Sequence, residues 1–405
     1  MSSFEVAIVG GGIVGLATAR ALAPIVRGSL IVVEAEPRVA AHQTGHNSGV
    51  IHSGLYYEPG SAKARHCAEG RTELVRYCAE RGLPHETCGK VVVATSTAQL
   101  PRLHDLLERG RENGLAGLEL LVLDALREIE PHAAGVAALR VRETGIVGFV
   151  AVAESLAADV RESGGDVRVG ARVLRVVRGR TGFRLDTASG PIDARHLVNC
   201  AGLQSDRVAR ACGVRPGLRI VPFRGEYYRL RRDREHLVRH LIYPVPDPRV
   251  PFLGVHFTRR IAGGIEAGPN ALLAWSRQGY ARGAWSARDA FEILSYAGFW
   301  RLIARFARTG LAEMGRAASR SAFVAALARQ VPEVLPGDVE PAGAGVRAQA
   351  VLPDGSLVDD FRIVEAERMI HVLNAPSPAA TAALSIGRSL ARLASERFGL
   401  SRSGA

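Results

Sequence analysis

Residues 4–9, FEVAIV, are apolar but for Glu5 and read as a buried strand, and residues 29–34, SLIVVE, read as a second that ends in Glu34. Between them GGGIVG runs into LATARALA, a good helix former. The pattern predicts strand, glycine turn, helix, strand. VVVAT at 91–95 reads as another strand, and AQLPRLHDLLERGREN as a long charged helix. TGIVGFVAVAESLAADV (144–160) reads as turn, short strand and helix; RVLRVVRG and FRLDTAS read as strands. HLVNCAGLQSDRVARACG (196–213) is strand, turn and helix. Residues 222–275 alternate like antiparallel strands, and residues 288–329 are mostly helical. The whole predicts an α/β (α+β) chain in which a parallel-sheet unit is interrupted by a mixed or antiparallel sheet.

The first βαβ unit carries chemistry. Gly10, Gly12 and Gly15 make a GxGxxG between strand and helix, and Glu34 ends the next strand 19 positions past Gly15. Gly10 permits the tight turn, Gly12 lets backbone approach a pyrophosphate, and Gly15 lets helix and strand pack closely. The helix start at Ile13 and Val14 offers N–H groups to phosphate. Glu34, followed by Ala35, suits ribose hydroxyls. FAD and NAD both use such a frame.

A second NAD-type unit would continue with helix. The chain gives instead TGHNSGVIHSGLYY at 44–57, loop-like and then extended. A bent cofactor that runs past its pyrophosphate needs such a segment. Asn47 and Ser48 suit phosphate or ring edges; Gly45, Gly49 and Gly54 bring backbone close to a flat ring. His46 and His52 lie six apart with no acidic residue at ligand spacing, so no metal site is expected.

The chain has 405 residues, enough for two or three domains, and a net charge of +12. The charge is spread along the chain and carried almost wholly by arginine. It is compatible with nucleic acid, an anionic membrane or an acidic substrate, or with compositional bias alone. Stretches such as LRRDREHLVRH (230–240) could supply a basic patch, but they lack the aromatic interleaving of a nucleic-acid surface. Five cysteines, none at CxxC spacing, fit a reducing compartment. No signal segment opens the chain and no run approaches a membrane span, so a cytoplasmic protein is expected, with peripheral contact at the inner membrane face left open. In residues 291–311, Phe291, Leu294, Phe299, Leu302, Ile303 and Phe306 interleave with Arg301, Arg305 and Arg308. Core packing is preferred for that stripe over a membrane surface.

GGGIVGLATA, Glu34 and QTGHNSGVIHSGLYY together resemble the FAD-dependent oxidoreductases of the D-amino-acid-oxidase type, and more narrowly the L-2-hydroxyglutarate oxidase/dehydrogenase family. PGSAKARHCAEG, GKVVVAT, VPFRGEYY, LGVHFT, GPNALLA and HVLNAPSPAATAALSIG extend the likeness over nearly the whole chain. The resemblance implies a Rossmann-like FAD domain in three pieces (1–85, 145–220, 340–405) and a substrate domain in two (86–144, 221–339). It implies non-covalent FAD held by Gly10, Gly12, Ile13, Val14, Gly15, Glu34, Ala35, Thr44, Gly45, His46, Asn47, Ser48, Gly49 and Val50. Val173 would meet adenine by backbone, and Ala201, Gly202 and Ser205 would form a second dinucleotide contact. Asn374, Pro376, Ser377, Pro378, Ala379, Ala380 and Thr381 would face the flavin, with a helix starting near Ala379 and pointing its dipole at the ring.

The implied substrate is a small 2-hydroxy dicarboxylate, its hydride passing to flavin N5. His256 is the first choice for base and His52 the second. Arg347 would clamp the α-carboxylate with a bidentate fork. Tyr56, Tyr57, Arg224 and Tyr228 would hold the distal end. RIAGGIEAGPN lacks an acidic residue where relatives often carry one, which leaves substrate preference open. An amino-acid or amine oxidase and a glycerol-3-phosphate dehydrogenase-like enzyme are the competing activities; a basic flavin-binding protein at RNA or membrane is the non-enzymatic alternative. Oxygen and a membrane quinone both suit as electron acceptor.

Overall fold

The computed structural model describes residues 3–247, 254–305 and 319–400. The expected βαβ unit forms as Ser3–Val9, Ile13–Leu22 and Leu30–Val33. Ser3–Val9 lies at the centre of an eight-stranded sheet, parallel to Leu30–Val33 on one side and to Gly190–Asn199 on the other. Asp166–Arg168 and Met369–Asn374 extend the parallel core. Val173–Arg178 and Phe183–Thr187 add an antiparallel meander. Strands buried on both faces read as continuous apolar runs, which is why the centre of the parallel core was visible as such. Helices Ile13–Leu22, Phe149–Glu162 and Ala383–Phe398 cover one face through Leu16, Leu156, Ile386 and Leu390.

The second sheet has nine strands. Its spine is Arg219–Leu230 paired antiparallel with Val339–Val351 along their whole length, with a bulge between Tyr227 and Tyr228. Lys90–Ala94 pairs antiparallel with Ala137–Val141 and parallel with Ile242–Pro244, which joins the two insertions into one mixed sheet. A small third sheet of Val50–Ile51, His85–Glu86 and Gly145–Val147 forms where the chain passes between the two large ones.

Every strand of the first sheet lies within the three pieces expected of a cofactor unit. Val339–Val351 does not follow the expected boundary at 340, because its partner is Arg219–Leu230 and not the strand that follows it in sequence. The expected helix 291–311 also divides. Ala287–Leu294 ends at Ser295, a second helix covers 297–305, and the Trp300 indole N–H donates to the Leu294 carbonyl at 2.8 Å. Phe299 and Leu302 pack on Val221 and Val351 with Ile293, whereas Phe291 is 71% exposed. Phe306 and Arg308 lie outside the described residues. Among the described residues no helix is long and apolar enough to cross a membrane.

Candidate active site

A cavity of about 1170 Å³ is walled by both large sheets and by the loop between them. At one end stands the glycine turn. Gly10 has φ +116°, and a Cβ there would come within 2.5 Å of the Cys200 carbonyl oxygen. A Cβ on Gly15 would sit 2.1 Å from the Gly10 carbonyl oxygen, so Gly15 sets how closely the helix rides on the turn. Gly12 caps that helix without a side chain, and a Cβ on it would meet only Thr44 Oγ1, at 3.4 Å. The space above the turn is therefore a cradle that a side chain would fill. Ile13 N–H donates to Thr44 Oγ1 at 3.0 Å. The Glu34 carboxylate accepts the Gly11 N–H at 2.7 Å and the Glu36 N–H at 2.9 Å. Glu34, Ala35 and Val173 line the cavity beside it. Opposite, the Asn199 side chain orders the second turn, accepting the Ala201 N–H at 3.1 Å and donating to the Ser205 carbonyl at 2.8 Å. Ala201 and Gly202 reach the cavity, whereas Ser205 sits behind them and donates to the Leu373 carbonyl at 3.2 Å. These features fit a dinucleotide whose pyrophosphate rests on backbone.

The loop at 44–57 crosses the cavity floor. Asn47 is spent inside the loop, donating to the Thr44 carbonyl at 2.7 Å and accepting the Gly49 N–H at 2.8 Å. His46 stacks on Tyr280, ring centroids 3.9 Å apart, and its Nδ1 meets the Ala344 carbonyl at 3.2 Å. Burial lowers its pKa, which suits a structural role. Thr44, His46, Asn47, Ser48 and Val50 line the cavity. Gly45 and Gly49 lie one layer out, where a Cβ would press on the Ala40 carbonyl (2.5 Å) and the Val147 carbonyl (3.0 Å). The C-terminal wall is Asn374 to Ala380, with Thr381 behind it accepting the His52 N–H at 3.0 Å. The regular helix starts at Ala383, not Ala379; turns closed by Ala379 N–H to Pro376 O and Ala382 N–H to Pro378 O, each at 2.9 Å, form the wall itself. The helix dipole thus acts from behind those turns.

The other end is basic. His52, His256 and Arg347 all line the cavity. The His256 Nδ1 lies 2.8 Å from the Gly254 carbonyl, which can only accept, so Nδ1 carries the proton and Nε2 keeps its lone pair. Burial first, then Arg347 and Lys90, pull His256 down to about 4. Burial, then Lys90, His256 and Arg347, pull His52 down to about 3. Both are neutral at pH 7. Arg347 is open to the cavity but otherwise enclosed by protein, and burial lowers its pKa as well.

Two expected substrate residues are not brought here. Arg224 pairs with Glu226 at 3.2 Å and follows Phe223, which is opposite Arg347 in the ladder, so it points to the other face. Tyr228 packs on Phe323 in the second core, ring centroids 4.7 Å apart. Its neighbour Tyr227 lines the cavity in its place. Alternation along Arg219–Leu230 is unbroken, the bulge being at Ala342 of the partner strand, and it puts Arg224 and Tyr228 on one face and Gly225 and Tyr227 on the other; sequence does not say which face meets the cavity. Tyr56 and Tyr57 do line the cavity, yet the Tyr56 hydroxyl is enclosed without a hydrogen-bond partner and the Tyr57 hydroxyl bonds to Ser377.

Tyr243 and Lys90 were missed by sequence reasoning. Tyr243 lines the cavity and packs on His256, ring centroids 4.0 Å apart. Lys90 is 2% exposed, its ammonium 4.2 Å from the Tyr56 ring centroid and 5.1 Å from that of Tyr243. Burial holds its pKa down to about 7. Each cation–π contact is worth about 2 kcal/mol when desolvated, whereas burying an ion costs several. Lys90 opens the strand KVVVA, every residue of which is buried, but its sequence offers no signal that sets it apart from a polar strand start.

The chain's residues 5–393 match the family model described as FAD dependent oxidoreductase. It is 50% identical to an L-2-hydroxyglutarate dehydrogenase of Indibacter alkaliphilus, over 98% of this chain and 100% of that one. It is 42% identical to the Escherichia coli K12 protein of the same name, over 95% of this chain and 91% of that one. Among solved structures it superposes on the FAD-bound L-α-glycerophosphate oxidase of Mycoplasma pneumoniae with TM-score 0.79 at 20% identity, covering 97% and 95% of the two chains. Glycine oxidase of Geobacillus kaustophilus gives TM-score 0.73 at 17% identity, covering 98% and 96%. With a glycine cradle that fits the dinucleotide and a match over nearly its whole length, the chain belongs to the FAD dependent oxidoreductase family.

Proposed function

We propose that the chain oxidises L-2-hydroxyglutarate to 2-oxoglutarate. The observation that carries this reading is the basic end of the cavity: Arg347, His256 and His52 face the same space as the glycine cradle. The names of relatives at 42% and 50% identity support it. The cradle, the 44–50 loop and the 374–380 wall would hold FAD, which when bound would supply the acceptor for the hydride that leaves Cα. Arg347 holds the α-carboxylate by its fork. His256 Nε2 takes the hydroxyl proton as the carbonyl forms, and a carboxylate beside Arg347 offsets the charge that depresses the imidazole, bringing it nearer to working pH. Tyr56, Tyr57, Tyr227 and Tyr243 close the substrate end against water. The first sheet then serves as the cofactor-binding unit and the second as the substrate-binding unit.

The finer reading places the protein in the cytoplasm with oxygen or a membrane quinone as acceptor. Trp285, Phe291 and Trp300, 66%, 71% and 54% exposed and close in sequence to Arg288 and Arg301, support contact with an anionic bilayer. The test is anaerobic addition of L-2-hydroxyglutarate to the flavin-loaded protein. Bleaching of the flavin band by the L and not the D isomer is expected. An unchanged band would sink the substrate, and glycerol 3-phosphate and amino acids would be tried next.

A further inference from the structure

The cations around the cavity differ in how they are compensated. Lys63 bonds Asp359 at 2.8 Å, Arg102 stands 4.0 Å from Asp247, and Arg109 stands 3.9 Å from Glu58. Lys90 has no ion pair among the described residues. It sits in the strand Lys90–Ala94, where its companions Val92 and Ala94 are core residues. Nothing about the fold requires a charge there, and an apolar side chain of that length would pack at less cost.

What lies in front of Lys90 explains it better than what lies around it. The rings of Tyr56 and Tyr243 stand against its ammonium, and both line the cavity. Neither hydroxyl is offered to the cavity: that of Tyr56 is enclosed, without a partner, and that of Tyr243 bonds Thr258. Arg347 suffices for one carboxylate. A second carboxylate would meet rings there, not donors, unless a positive potential stands behind the rings.

We propose that Lys90 is the specificity-determining residue for a dianionic substrate: packed behind Tyr56 and Tyr243, it supplies the positive potential for the carboxylate distal to Arg347. It acts through the two rings and touches neither substrate nor flavin. In a water-excluded site such a charge acts at longer range than in solvent. This inference rests on the dicarboxylate reading above.

The test compares the flavin-loaded wild type with Lys90→Met, Lys90→Gln and Lys90→Arg on two substrates. One is L-2-hydroxyglutarate; the other is L-2-hydroxypentanoate, in which a methyl replaces the distal carboxylate. Lys90→Met and Lys90→Gln are expected to lower kcat/KM for the diacid at least roughly tenfold, chiefly through KM, and to leave the monoacid within about threefold. Lys90→Arg should recover part of the discrimination, and the flavin content and spectrum should stay unchanged. Equal losses on both substrates would mean a merely structural lysine and overturn the proposal. A wild type that oxidises neither diacid nor monoacid would overturn the parent reading, and this one with it. A wild type that oxidises the diacid beside neutral variants that keep full selectivity would overturn only the role of Lys90.

Discussion

The two ends of the cavity are built by different means. The cradle is made of backbone: Gly10, Gly12 and Gly15 act by what they lack, and one helix start does the rest. The basic end is made of side chains delivered by separate segments: His52 from the loop, His256 and Arg347 from two strands, and Lys90 and Tyr243 from two more. A backbone site tolerates no added atom but needs no particular side chain. A side-chain site tolerates reshaping but depends on each charge.

The sharpest way to break this comparison is at Gly15. Its Cβ would overlap the Gly10 carbonyl oxygen at 2.1 Å, so Gly15→Val is expected to abolish flavin loading altogether, seen as loss of the visible absorption band. If Gly15→Val loads flavin normally, the cradle is not the backbone-limited site described. At the other end, Arg347→Met should keep the band and lower kcat/KM by roughly 10³-fold, the cost of a lost charged fork. His256→Ala should lower it by roughly 10²-fold. Wild-type turnover in the His256 variant would remove the base assignment, and loss of flavin in either would show that the two ends are not separable.

The smallest effect is on stability. The folded His52 and His256 resist protonation until about pH 3 and about pH 4, whereas an unfolded chain protonates both near 6.5. As pH falls through about 6.5, the unfolded state gains protons that the folded state refuses, so their contribution, complete above that value, is lost on the way down. Roughly 2–3 kcal/mol from these two is expected to disappear between about pH 7.5 and 5.5, by the usual linkage of about 1.4 kcal/mol per unit for each group, and His371, held down to about 4 by burial, adds a loss of the same sign. Urea titrations at the two values would show it, and a flat profile would mean that the imidazoles are hydrated rather than enclosed.

The same contrast governs what could be read from sequence. The cradle was legible because its signal is local: a glycine spacing framed by strand, helix and acid, all between Phe4 and Glu34. The centre of the first sheet was legible for a similar reason, since VAIV and LIVV are short apolar runs beside that motif, whereas Asp166–Arg168 and Met369–Asn374 carry no such run. Arg347 and His256 were found through family resemblance, not through any pattern of their own. Tyr228 was chosen over Tyr227 because alternation groups it with Arg224 but does not say which of the two faces meets the cavity. Lys90 was invisible because a single lysine before VVVA reads as the polar start of a strand. Residues 340–351 were grouped with the cofactor unit, and their pairing with the distant Arg219–Leu230 leaves no mark in either segment.

The 44–57 loop has a consequence for synthesis. It is fastened by residues that the ribosome adds much later: a Cβ on Gly345 would strike the His46 carbonyl at 2.6 Å, Arg260 donates to the Asn47 carbonyl at 2.8 Å, and Thr381 receives the His52 N–H. The glycine fingerprint emerges first, yet the groove it opens has no far wall until the last strand and its turns are out. Capture of the flavin is thus a late event in the life of the chain. A nascent protein stalled before residue 374 carries the whole nucleotide motif but not the wall that closes the groove over it.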